Sequence, residues 1–202
     1  MVLVLPDIKG PRTLTVKPDP LMDDDRYFDF CQQNPKLRIE RTAEGKIVIM
    51  PPVGIGSGDQ EGRSYVQLCI WADKDGRGRA FSATVEFMLP NRAGLAPDAS
   101  WVSYSQLRKL TEDERTKFPQ LCPEFVIEVR SPSDRPKALK ARMQEWIDNG
   151  VQLAWLIDGR GRTVTIYRPG REPEELADPA VVVGEGPVKG LRLKMSKVWA
   201  GW

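Results

Sequence analysis

LCPEFVIEVRSPSDRPKALKARMQEWIDNG, residues 121–150, is the stretch that decides the fold class of this chain. Its first half, Glu124–Val129, is an apolar run closed by a serine-proline break, and it reads as a buried strand. Strand alternation puts Phe125, Ile127 and Val129 on one face and Val126, Glu128 and Arg130 on the other. A carboxylate at the end of a buried strand is costly unless it is paired or holds a metal. Ser131-Pro132-Ser133-Asp134 stops the strand and offers two helix N-caps. Leu139, Met143, Trp146 and Ile147 then recur at helical spacing, and Asn149-Gly150 ends the helix. Lys140 and Arg142 flank that apolar stripe on opposite sides. A strand thus carries an acid to its carboxyl end and a basic helix starts beside it, which is where ligands of open α/β sheets collect.

Working outward, 202 residues is the length of one domain with a core that needs no staples. Hydrophobic content of 41% and charged content of 29% place the chain among ordinary globular proteins. A net charge of +2 does not argue for nucleic acid, so any basic surface has to be local. Cys31, Cys69 and Cys122 are scattered and form no CxxC. That disfavours a disulfide framework or structural zinc and fits a reducing, cytoplasmic setting. The absence of histidine removes Ser-His-Asp catalysis, Cys-His catalysis and histidine-ligated zinc. The opening MVLVL is too short for a signal peptide or a membrane span, and Pro6 follows it, so no membrane partner is expected.

In chain order, residues 1–20 carry four prolines and read as an arm with at most one short strand. A short helix with an acidic first turn is expected around Tyr27–Cys31. A hairpin follows, Leu37–Glu40 with Lys46–Met50. Val53–Gly58 reads as a glycine loop, and it is not a P-loop because no Gly-Lys-Ser/Thr follows. Tyr65, Leu68, Cys69 and Trp71 mark an amphipathic helix that closes near Asp75-Gly76. Ala80–Leu89 and Asp98–Val102 read as strands, the second with Trp101 on one face and Asp98 and Ser100 on the other. A charged helix is expected over Ser105–Phe118, and a hairpin joins Gln152–Asp158 to Thr163–Arg168. Residues 171–202 read as an edge strand, Val181–Val183, and a tail. With no internal repeat and no dividing linker, residues 1–202 read as a single mixed α/β domain.

Asp98 begins and Glu128 ends strands that should be neighbours, so their carboxylates meet at one sheet edge. Hard cations such as Mg²⁺ or Mn²⁺ take one or two carboxylates together with water and substrate phosphate. Arg130, Arg135, Lys137, Lys140 and Arg142 form the densest basic cluster of the sequence, next to this pair. Acids for a metal beside bases for a phosphate is what metal-assisted phosphodiester hydrolysis requires. The bland readings weigh against each residue alone. Pro-Asp is most often a turn, Glu128 and Arg130 share a face and can pair with each other, and a basic helix face is usually solvated. Glu40 and Glu86 sit in strands where exposed glutamates are common, and Trp71, Trp101, Trp146 and Trp155 read as core.

At these residues the chain resembles the PD-(D/E)XK nuclease superfamily and, more narrowly, the Uma-two family of putative bacterial restriction endonucleases. The matching text is IERTAEGKIVIMPP (39–52), LPNRAGLAPDASWVS (89–103), LCPEFVIEVRSPSD (121–134), MQEWIDNG (143–150) and AWLIDGRGRTVTIYRPG (154–170). The resemblance implies a restriction-endonuclease-like mixed sheet flanked by helices, with an N-terminal hairpin extension. It also implies Asp98 and Glu128 as the acid pair, Glu40 as an additional acid for metal, and DNA as substrate. Where the superfamily signature has lysine two residues after the second acid, this chain has Arg130. Where relatives carry a lysine in the next helix, four residues before an aromatic, it has Arg142, with Lys140 the nearest lysine. Gly56 stands where such relatives often show glutamate. Arginine stabilises phosphate but does not give up a proton. The expected function is therefore a Mg²⁺- or Mn²⁺-dependent endonuclease, with Lys140 or Arg142 on the phosphate and a homodimer expected by analogy for two-strand cutting. The alternative is a catalytically silent nuclease fold that binds DNA or a protein partner.

Overall fold

The computed structural model describes residues 13–199, and the remainder of the expected arm, 1–12, and the end of the tail lie outside them. The first part of the fold is β1 (Leu14–Val16), α1 (Asp24–Gln33), β2 (Arg38–Arg41), β3 (Ile47–Met50) and α2 (Ile55–Asp75). Next come β4 (Gly78–Ser82), β5 (Phe87–Met88), β6 (Gly94–Leu95), β7 (Ala99–Ser103), α3 (Tyr104–Leu107) and α4 (Glu112–Thr116). The central pair is β8 (Phe125–Val129) and α5 (Pro136–Asp148), followed by β9 (Leu153–Asp158) and β10 (Thr163–Tyr167). The chain closes with β11 (Glu174–Ala177), β12 (Val181–Val183), β13 (Arg192–Lys194) and α6 (Met195–Val198).

The main sheet has the order β11-β10-β9-β8-β7-β4, mixed because β8 and β9 are parallel while the other neighbours are antiparallel. Alternation along β8 divides two apolar layers. Phe125, Ile127 and Val129 pack with Leu68 and Ala72 of α2 and with the C-terminal Leu193, Met195 and Val198. Val126 turns the other way, onto Leu139, Met143, Trp146 and Ile147 of α5. The sheet is thus sandwiched between helices, as the alternation of the central strand predicts. At roughly 1.5–3 kcal/mol per large apolar side chain, these layers are the main driving force for the fold. A second, antiparallel sheet, β1-β3-β2-β6-β5, holds the N-terminal hairpin and packs through Tyr27, Ile39, Ile47 and Met88.

Several expectations need correction. Ala80–Leu89 is not one strand, because the chain turns after Ser82 and β5 joins the other sheet. Val53–Gly58 is not all loop, since α2 begins at Ile55 and takes Gly56 and Gly58 into its first turns. Ser105–Phe118 is two short helices, the second opened by a capping box between Thr111 and Glu114. Val181–Val183 is not the sheet edge. It pairs with β13 in a separate ribbon, and the main sheet ends at the charged strand β11 on one side and at β4 on the other. The caps expected before α5 do other work: Asp134 accepts the Ser131 N–H at 2.7 Å, and the helix starts at Pro136, whose fixed φ suits a first helical position.

Candidate active site

β7 and β8 run antiparallel with Ala99 opposite Ile127 and Ser100 opposite Val126. One further step of that register sets Asp98 opposite Glu128, at the carboxyl edge of β8. Both acids are buried, 7% and 5% exposed. Each has one oxygen fixed by the protein. The Val129 N–H donates to Asp98 Oδ2 at 2.7 Å. Glu128 Oε1 accepts from Arg142 Nε at 2.7 Å and from the Trp146 indole N–H at 2.8 Å. Asp98 Oδ1 receives a long contact from Arg38 Nη2, 3.4 Å, and Glu128 Oε2 receives none among the described residues.

Burial raises both acids. Asp98 lies at about 6, lifted further by the charge of Glu61 and restrained by the Val129 N–H, Arg38 and Arg142. Glu128 lies at about 7, with Arg142 pulling it down and the Asp98 and Glu40 charges pushing it up. These are carboxyls that surrender their protons near neutrality when a cation arrives.

Arg142 stands on α5 one turn before Trp146, on the edge that faces the acids. Its Nη1 and Nη2 grip Glu40 at 2.7 and 2.8 Å, and Nη2 also donates to the Ala96 carbonyl at 3.1 Å. Burial disfavours its charge, but Glu128 and Glu40 hold its pKa well above the ordinary arginine value. Glu40 arrives from β2, and its Oε1 also accepts the Ala96 N–H at 3.0 Å. Both Glu40 oxygens are therefore committed to protein donors. Lys140, the other expected cation, is exposed and makes no ion pair with the acids among the described residues. Arg130 does not pair with Glu128. It bonds Asp158, whose other oxygen accepts the Arg160 and Gly161 N–H groups and holds the β9–β10 turn.

Two charged side chains escaped the reading of the sequence. Arg38 of β2 lies two residues before Glu40, hence on the same strand face, and reaches Asp98. Glu61 of α2 is half-buried. Burial raises its pKa, with Arg38 lowering it and Glu128 raising it, so it faces the same acids. Its signal was present, because one helical turn before Tyr65 is the core side of α2. Behind Glu40, Tyr27 donates to Glu86 at 2.6 Å. Burial lifts Glu86 to about 8, and Gly94 leaves it room, since a Cβ there would lie 2.3 Å from Glu86 Oε1. Among the described residues no three acid or thiol side chains converge into a ready cage for an ion. Two carboxylates completed by water and phosphate are the donor set magnesium commonly uses, so the residues present fit such an ion.

The fold has counterparts among known proteins. A family model described as a putative restriction endonuclease, Uma2, matches residues 24–196. Among solved structures the chain is similar to a putative nuclease belonging to DUF820 from Anabaena variabilis ATCC 29413. The TM-score is 0.71 at 21% identity, over 88% of this chain and 97% of that one, a likeness of fold. Comparison with curated proteins gives no match. The family match spans Glu40, Asp98, Glu128 and Arg142 together, and the chain belongs to the Uma2 family of putative restriction endonucleases.

Proposed function

We propose that the protein is a Mg²⁺- or Mn²⁺-dependent endonuclease that hydrolyses DNA phosphodiester bonds. The observation that carries this reading is the pair Asp98 and Glu128, each with one oxygen locked by the protein and the other without a strong donor. In this reading Asp98 and Glu128 would hold the metal. A divalent ion there would lower the pKa of a bound water and neutralise charge on the phosphate. Water oxygen adds to phosphorus, the bond to the leaving oxygen breaks, and a phosphate monoester and a hydroxyl result. The protein's part is to hold Glu128 in place through Arg142 and Trp146, and Asp98 through Val129. Glu40, with both oxygens taken, serves the site by anchoring Arg142.

The direct test is supercoiled plasmid incubated with the purified protein and Mg²⁺ or Mn²⁺. Nicking that requires the metal and disappears in Asp98→Ala and Glu128→Ala supports the reading, and nicking that survives both variants refutes it. One observation favours a second reading, a silent nuclease fold that binds DNA. Arg142 already compensates Glu40 and Glu128 without any ion. Salt-sensitive DNA binding without metal-dependent nicking is its signature.

A further inference from the structure

We infer that Arg38, rather than Arg142 or Lys140, is the cation that grips the substrate phosphate, an inference that rests on the nuclease reading of the same site. An arginine has five N–H groups. Arg142 spends four hydrogen bonds on Glu128, Glu40 and the Ala96 carbonyl. Turning it toward a substrate would strand two buried carboxylates, so it stays where it is. Lys140 is exposed and pairs with neither acid among the described residues, and Arg130 is tied to Asp158.

Arg38 differs on each count. It reaches Asp98 Oδ1 by one contact of 3.4 Å, at the weak limit of a hydrogen bond. Its Nε is buried and has no hydrogen-bond partner among the described residues. Its side chain touches Asp98 and is 30% exposed, so solvent reaches part of it. Glu61 and Asp98 hold it there by charge, yet Glu61 accepts no hydrogen bond from it among the described residues. A buried donor without an acceptor is a standing cost that an arriving acceptor removes. A phosphate has non-bridging oxygens spaced for the planar guanidinium fork. Giving up the long contact to Asp98 loses little, and the fork is then free for a phosphate seated over the acid pair.

The test uses the full chain and a fluorescein-labelled DNA duplex, with binding followed by anisotropy over a salt series and cleavage followed in Mn²⁺. Removing one phosphate contact should lower the salt slope by about 0.9. Arg38→Ala should show that loss together with a fall in kcat of about a hundredfold, the usual effect of deleting one donor to developing charge. Arg38→Lys keeps the charge and guards against a folding defect. It should restore the slope but not the full kcat, because an ammonium cannot fork. Lys109→Ala, beyond the far end of β7, controls for loss of a surface charge and should match wild type. Arg38→Ala with wild-type slope and kcat overturns the inference and leaves the nuclease reading standing. Should wild type bind DNA without cutting it, the nuclease reading fails and the slope alone decides on Arg38. Binding and cleavage both absent in wild type would overturn the two together.

Discussion

Arg142→Ala isolates the physics of the site from its chemistry. The substitution removes a guanidinium that is 20% exposed and leaves Glu40 and Glu128, each about 5% exposed, facing one another without their cation. Breaking a buried ion pair by deleting one partner costs about 3–5 kcal/mol, because the remaining charge is stranded. For a chain of this length each kcal/mol moves the unfolding midpoint by about 2–4 °C, so the expected drop is about 6–20 °C at pH 8. The loss must shrink on acidification. Without Arg142 the folded-state pKa of Glu128 rises further, the native state of the variant binds a proton the unfolded chain does not, and stability returns as pH falls toward 5. Thermal unfolding by circular dichroism at pH 8 and pH 5 reads both numbers. A drop under about 2 °C at pH 8 would refute the electrostatic account. An equal drop at both pH values would do so too, since lost packing carries no pH dependence.

Other outcomes follow from the same geometry. If Asp98 and Glu128 hold Mn²⁺, the ion has to displace protons from carboxyls that burial raises, so its affinity should climb between pH 6 and pH 8 by calorimetric titration; a flat profile contradicts the raised values. In the metal-free protein the same two groups make stability fall as pH rises, through the window between ordinary carboxyl values near 4 and those folded values. Trp146→Phe deletes the indole donor to Glu128 and should cost about 1.5–3 kcal/mol, measured by denaturant unfolding, while shifting the Mn²⁺ profile to higher pH. Gly78→Ala would put a Cβ 2.3 Å from the Val102 carbonyl oxygen and 2.5 Å from the Trp101 ring, and should destabilise by about 1–3 kcal/mol; a neutral result would mean that the β4–β7 pair yields freely.

The sheet's centre was legible because its causes are local. Alternation at Phe125, Ile127 and Val129 against Val126 and Glu128, and the helical spacing of Leu139, Met143, Trp146 and Ile147, each name a face and its partner layer. Asp98 and Glu128 were legible as a pair for the same reason, since one strand begins where its antiparallel neighbour ends. Elements whose form depends on distant packing were not. The run 80–89 has strand composition throughout, yet only the chain's passage to the second sheet decides where it breaks. The first turns of α2 carry glycines with poor helix propensity, and the helix forms there although composition argues for a loop. The saturation of Arg142 needs Glu40, which stands 102 residues away and comes to the site on another sheet. Arg38 and Glu61 left signals, one sharing a strand face with Glu40 and the other lying one turn before Tyr65. Their meaning emerged only once three elements met at Asp98.

Mn²⁺ titration at pH 8, followed by electron paramagnetic resonance, asks whether Asp98 and Glu128 hold a divalent ion. Saturable binding to wild type is expected, lost in Asp98→Asn and in Glu128→Gln. No binding by wild type, or undiminished binding by both variants, would contradict such a site.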